Sequence, residues 1–85
     1  MIIEGGRCMD WEEFIYRFLV NYEEFLFHYK GLRIDVSNVS DNTAALSYGS
    51  KEKGFLLKDY TSPIEFLNDR VFDGKTLEEI WTELE

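Results

Sequence analysis

Apolar residues Trp11, Phe14, Ile15, Phe18, Leu19, Tyr22, Phe25, Leu26 and Tyr29 recur at steps of three and four along the chain. That is a helical period. At about 100° per residue they cover an arc of roughly 140°, wider than a coiled-coil seam, and such a face needs a sheet or several helices over it. The spacing predicts one amphipathic helix over residues 10–29, about 30 Å long. Asp10 is its N-cap and Glu13 completes a capping-box pattern. Glu12 and Glu13 stand where the helix dipole favours negative charge. Lys30-Gly31 supplies the C-terminal cation and the left-handed stop. Three further apolar residues, Tyr16, Val20 and Phe27, fall together on the opposite side of such a helix. They are covered by their own chain, scattered on the surface, or held in a partner contact. The last reading predicts an isologous dimer with Glu23, Glu24 and Arg17 as its polar rim, abolished by placing Lys at Val20 and Phe27.

After Gly31 the period becomes two. Leu32, Ile34 and Val36 alternate with Arg33, Asp35 and Ser37, the pattern of a half-buried strand. Residues 37–42 (SNVSDN) are a turn-rich loop. Ala44, Leu46 and Tyr48 share one face of a second strand. The glycine-bounded GSKEKG segment is a hairpin connection, and Phe55, Leu57 and Asp59 alternate with Leu56, Lys58 and Tyr60 in a third. The Leu32 face belongs on the helix and the mixed Arg33 face in water. Ser62-Pro63-Ile64-Glu65 combines a cap, a first-turn proline and a capping-box glutamate; the short helix it starts ends near Asn68. Phe72-Asp73-Gly74-Lys75 is a turn. Thr76 and Glu79 cap a terminal helix whose stripe is Leu77, Ile80, Trp81 and Leu84. The predicted architecture is α+β: a long N-terminal amphipathic helix packed on a three-stranded antiparallel meander, with two short C-terminal helices.

Residues 1–8 (MIIEGGRC) stand outside the helical pattern. Glu4-Gly5-Gly6 is encodable as a ribosome-binding site in a bacterial gene, and Met9 lies directly before the helix cap. Residues 1–8 therefore read as a translated leader or as a short edge strand, and residues 9–85 as a single domain. At 85 residues folding buries only about 60–65% of the unfolded surface. The 16% aromatic content supplies large side chains to meet that need.

The run Tyr29-Lys30-Gly31, followed by strands, and the run Phe72-Asp73-Gly74-Lys75-Thr76-Leu77-Glu78-Glu79-Ile80-Trp81 together resemble small uncharacterised proteins of Gram-positive bacteria and their mobile elements. The resemblance covers about the last two-thirds of the chain. It implies no activity and carries over no functional residues.

The net charge of −8 argues against direct nucleic-acid binding, which needs Lys and Arg for the phosphates. It leaves a basic protein partner, or mimicry of nucleic acid. No apolar run is long enough to span a membrane, and no secretory signal is visible. A single cysteine, Cys8, cannot form an internal disulfide and fits a cytoplasmic setting. The candidate acidic surface is Glu12, Glu13, Glu23, Glu24, Glu78, Glu79 and Glu83, on the first and last helices; the strand region is near neutral.

Catalytic, cofactor and metal residues are expected to be absent. His28, the only histidine, has Glu24 one helical turn away but no nucleophile. No Cys/His pair has metal-ligand spacing. The DRVFDG run at residues 69–74 fails as a calcium loop, because Val71 stands at a ligand position and Ile80 where the closing Glu belongs. The leading reading is a small acidic, non-catalytic protein-interaction or regulatory module from a phage or mobile element. The alternative is an acidic nucleic-acid mimic inhibiting a DNA-binding protein, and the third a small enzyme. Phe18 and Trp81 are the predicted centres of their stripes. Replacing either with Ala should cost about 3–5 kcal/mol, read as a large fall in melting temperature; unchanged melting in both would refute their burial.

Overall fold

A computed structural model describes residues 2–4, 7–40 and 43–85. The Gly5-Gly6 pair and the Asp41-Asn42 end of the turn-rich segment lie outside the described residues. The elements in order are β1 (Ile3–Glu4), β2 (Arg7–Cys8), α1 (Trp11–Leu19), β3 (Phe25–Tyr29), β4 (Leu32–Ser40), β5 (Thr43–Ser50), β6 (Gly54–Tyr60), α2 (Pro63–Leu67), α3 (Leu77–Ile80) and a 3-10 turn (Trp81–Glu83). β1 and β2 pair with each other, while β3-β4-β5-β6 form one antiparallel sheet in chain order. The α1 helix and the C-terminal elements cover one face of that sheet, in a slab 33 × 33 × 20 Å.

The class is α+β, but the long helix and the three-stranded meander are overturned. The helix stops at Leu19, and residues 25–29 are a fourth strand. Helical positions 18, 22, 25 and 29 coincide with the strand positions 25 and 29, so both periods fit part of the run. Phe27 separates them. On a helix it would point away from Phe25; on β3 it shares the buried face with Phe25 and Tyr29. Aromatic residues also favour strands, and pairing with β4 buries Phe25, Phe27 and Tyr29 together on one face, which a helix cannot do for all three. The pairs run from Phe25↔Val36 to Tyr29↔Leu32. Lys30-Gly31 is consequently not a helix stop. Its φ values of 50° and 78° are those of a type I′ hairpin turn, which matches the twist of the flanking strands.

The helix reversal is held by side chains. Tyr22 takes a left-handed φ of 54°. Arg17 then clamps the reversal: Nε donates to both Glu23 carboxylate oxygens at 3.0 Å and Nη2 to Oε1 at 2.7 Å. Its guanidinium lies 5.2 Å from the Phe25 ring centroid. A bidentate, half-buried pair of this kind fixes geometry more firmly than an exposed lysine would.

All three N-caps form, but the reciprocal capping box expected at each is present only at the last; the Glu13 carboxylate takes Arg17 and the Glu65 carboxylate the Thr61 hydroxyl. Asp10 Oδ1 accepts from the Glu13 N–H at 2.8 Å, and Ser62 Oγ from the Glu65 N–H at 3.2 Å. Thr76 and Glu79 form a reciprocal capping box. Asp73-Gly74 is a second turn with both φ values positive, closed by Phe72↔Lys75 bridging. Lys30 Nζ reaches Asp73 Oδ2 at 3.2 Å, so the two turns touch. β4 runs to Ser40, with a register shift between Asn38 and Ser40, so most of the expected loop at residues 37–42 is strand.

The core contains Phe14, Phe18, Phe25, Phe27, Tyr29, Ile34, Val36, Leu46, Phe66, Phe72, Leu77, Ile80, Trp81 and Leu84. Phe18 and Trp81 are thus buried. The back stripe does not exist as a set: Tyr16 and Val20 are 60% and 54% exposed on α1, whereas Phe27 is 2% exposed in β3. The dimer contact through those three residues is withdrawn, because its central ring is inside the sheet core. Phe27→Lys should unfold the domain, since an unpaired buried charge costs several kcal/mol. Val20→Lys should leave melting nearly unchanged. Equal tolerance of both in thermal melts would restore the long helix.

Candidate functional site

The meander leaves one sheet face with no covering layer among the described residues. Cross-strand pairing places Leu26, Asp35, Ser47 and Leu57 in one row and His28, Arg33, Gly49 and Phe55 in the next. A third row runs Ser37, Ala45 and Asp59, with Glu24 just ahead of β3 beside it. The twist of the sheet shapes this face into a shallow depression of about 430 Å³. Its lining includes Glu24, Asp35, Ser37, Ala45, Ser47, Leu57 and Asp59. Arg33 Nε holds Asp35 Oδ2 at 2.8 Å. Glu24 and Asp59 have no cation in contact among the described residues. Two open carboxylates therefore bracket a floor of small and apolar side chains, about three strand spacings or 14 Å apart.

The two sheet edges differ. On β3 the His28 N–H donates to the Glu85 carbonyl at 2.8 Å, and the Glu85 N–H returns a bond to the His28 carbonyl at 2.9 Å. On β6 no further strand pairs among the described residues, and Phe55, Leu56 and Leu57 are 46%, 45% and 75% exposed. A second depression of about 470 Å³ lies at this edge, lined by Tyr48, Phe55, Leu56 and Val71 among others.

An ionic cluster sits at β6. Asp69 Oδ2 accepts from Lys58 Nζ at 2.5 Å and from the Tyr60 hydroxyl at 2.8 Å. Lys58 also lies 5.3 Å from the Tyr60 ring centroid. Hydrogen bonding from Lys58 holds the Asp69 carboxyl below the usual carboxylate range. Burial, and then the bond to Asp69, pushes the Tyr60 hydroxyl well above the usual tyrosine range. Such a group supplies no proton near neutrality, and the cluster ties β6 to the segment after α2.

The acidic residues do not form one surface. Glu13 and Glu23 are engaged by Arg17. Glu79 accepts from the Thr76 N–H, which with Arg70 at 2.6 Å keeps its carboxyl below the usual range. Glu12, Glu78 and Glu83 are exposed on helical elements, while Glu24 moves from the expected helix to the bare sheet face. His28 lies on β3 opposite Arg33 rather than on a helix flank. Cys8 is exposed. Among the described residues no group of three His, Cys, Asp or Glu converges as a metal site, and no helix is long and apolar enough to cross a membrane.

No protein-family model, curated protein or solved structure matches this chain. Of the bare-face residues, only Arg33, Asp35 and Ser37 are readable in the sequence as a wet strand face; Leu26, His28 and Glu24 read there as helix. The signal was Phe55-Leu56-Leu57. Three consecutive apolar residues in an alternating strand must put an apolar group on each face.

Asp69→Asn should cost about 1 kcal/mol, the scale of a partly exposed charged pair. The native Asp69 has a folded pKa below its unfolded value. Its stabilisation is therefore present above the unfolded pKa and lost as pH falls through the folded one. Urea melts across the acidic range should show that loss in the native chain and a flatter dependence in the variant. An identical acid dependence would remove Asp69 from the account.

Proposed function

We propose that this domain is a small acidic, non-catalytic interaction module, of the kind carried by phages and mobile elements. Its bare sheet face receives a basic, partly apolar segment of another protein. The observation that carries the reading is the depression between Glu24 and Asp59, with Leu57 and Ala45 in its lining. Two uncompensated carboxylates beside exposed apolar groups suit Lys or Arg side chains, whose aliphatic stems cover apolar surface while their heads pair with the acids. The nucleic-acid mimic is the weaker reading, because Glu13, Glu23 and Glu79 are engaged by internal arginines. A cytoplasmic setting is part of the proposal.

A photo-crosslinking residue at Ser47 should capture a basic protein from host cells, and one at Tyr16 on the far side should not. Glu24→Lys should weaken the captured complex tenfold or more, and added salt should weaken it further. Capture from Tyr16 alone, or a complex indifferent to Glu24→Lys, would refute the assignment.

A further inference from the structure

An open strand edge carries a row of unpaired backbone N–H and C=O groups and is a template for another strand. Folded proteins commonly guard such an edge with Pro, a bulge or a free Lys. β6 has none of these guards. Its sequence, GFLLKDY, lacks Pro. Its pairing with β5 is regular from Ala44↔Tyr60 to Ser50↔Gly54. Its one lysine is held by Asp69. At the other end of the sheet Glu85 already pairs with His28 of β3, so β6 is the more open of the two edges.

We propose that β6 pairs with β6 of a second copy of this chain, antiparallel and about a two-fold axis through Leu56, to give one continuous eight-stranded sheet. The register follows from charge and shape. Around Leu56, Phe55 stands opposite the partner's Leu57 on the bare face, and Leu56 stands opposite its own copy. Gly54 stands opposite Lys58, so no side chain meets the lysine. Beyond them Lys53, in the hairpin turn that leads into β6, comes to the end of the junction where the partner's Asp59 lies, twice over, bringing opposite charges together. Centring on Leu57 would set Phe55 against Asp59 and Leu56 against Lys58. Centring on Lys58 would oppose two lysines. Both alternatives bury charge against apolar or like-charged groups. Long-range charge points to the same edge. Residues 51–60 contain Lys51, Lys53 and Lys58 against Glu52 and Asp59, a net +1, so the rest of the chain carries −9 of the total −8. This edge is where two copies approach with least repulsion. The inference rests on the sheet edge and not on the basic-segment reading of the face.

The test uses the full chain with Cys8→Ser. Sedimentation up to about 1 mM should give twice the 10.1 kDa monomer mass. Leu56→Cys in that background should oxidise to a disulfide dimer, and Leu26→Cys, on β3 at the other end of the sheet, should not. Asp59→Lys should raise the dimer dissociation constant about tenfold or more, and adding Lys53→Glu should restore it. Both sites are exposed, so these variants should fold even if the cysteine variant does not. A monomeric mass throughout would overturn the dimer. A dimer indifferent to Asp59→Lys, or not restored by the double change, would overturn the register.

Discussion

The ring of Phe14 lies within 5.7 Å, centroid to centroid, of five other rings: Trp11, Phe18, Phe25, Phe27 and Trp81. Those rings come from α1, β3 and the C-terminal turn. The chain of contacts continues from Phe18 to Phe66, and from Phe66 to Tyr60 and to Phe72. Phe72 meets Tyr48 at 5.0 Å. An aromatic network thus joins the sheet to α1, to α2 and to the C-terminal 3-10 turn. Each favourable ring pair adds about 0.5–1.5 kcal/mol beyond its buried area, a large increment for a domain whose net stability is on the order of 5–15 kcal/mol. A nine-residue helix covers little sheet on its own, so the C-terminal segment must complete the layer. Leu84 is fully buried, and Glu85 pairs with β3, so the chain's last residues close both the core and one sheet edge.

Local chemistry was legible where it acts within a few residues. The three helix starts rest on caps that bond three residues ahead, and each forms. The C-terminal stripe was legible because Leu77, Ile80, Trp81 and Leu84 admit only one period. Residues 20–29 were not, because Phe25 and Tyr29 satisfy both periods and the deciding partner lies beyond a turn, at Leu32–Ser40. Lys30-Gly31 compounded the ambiguity, since a glycine at positive φ ends a helix and also turns a hairpin. Phe27 read as part of the helix's back stripe with Tyr16 and Val20, and only the pairing with β4 puts it in the buried row of β3. The bare face was legible only as alternation in Arg33, Asp35 and Ser37. Its depression depends on sheet twist and strand order, which are tertiary facts.

The functional reading follows from one-sided cover. With the aromatic layer on one face, the other presents Leu26, Phe55 and Leu57 to solvent, together with carboxylates that the fold does not neutralise. The ionic groups that resemble chemistry, Lys58, Tyr60 and Asp69, are instead consumed in fastening β6 to the core.

The central structural claim is that residues 25–29 form a strand whose aromatic face meets α1. Nuclear Overhauser contacts in solution test it most directly. The account predicts cross-strand backbone contacts between Phe27 and Ile34 and ring contacts from Phe27 to Phe14 and Trp81. Helical contacts between residues three apart, continuing through residues 20–29, would contradict it.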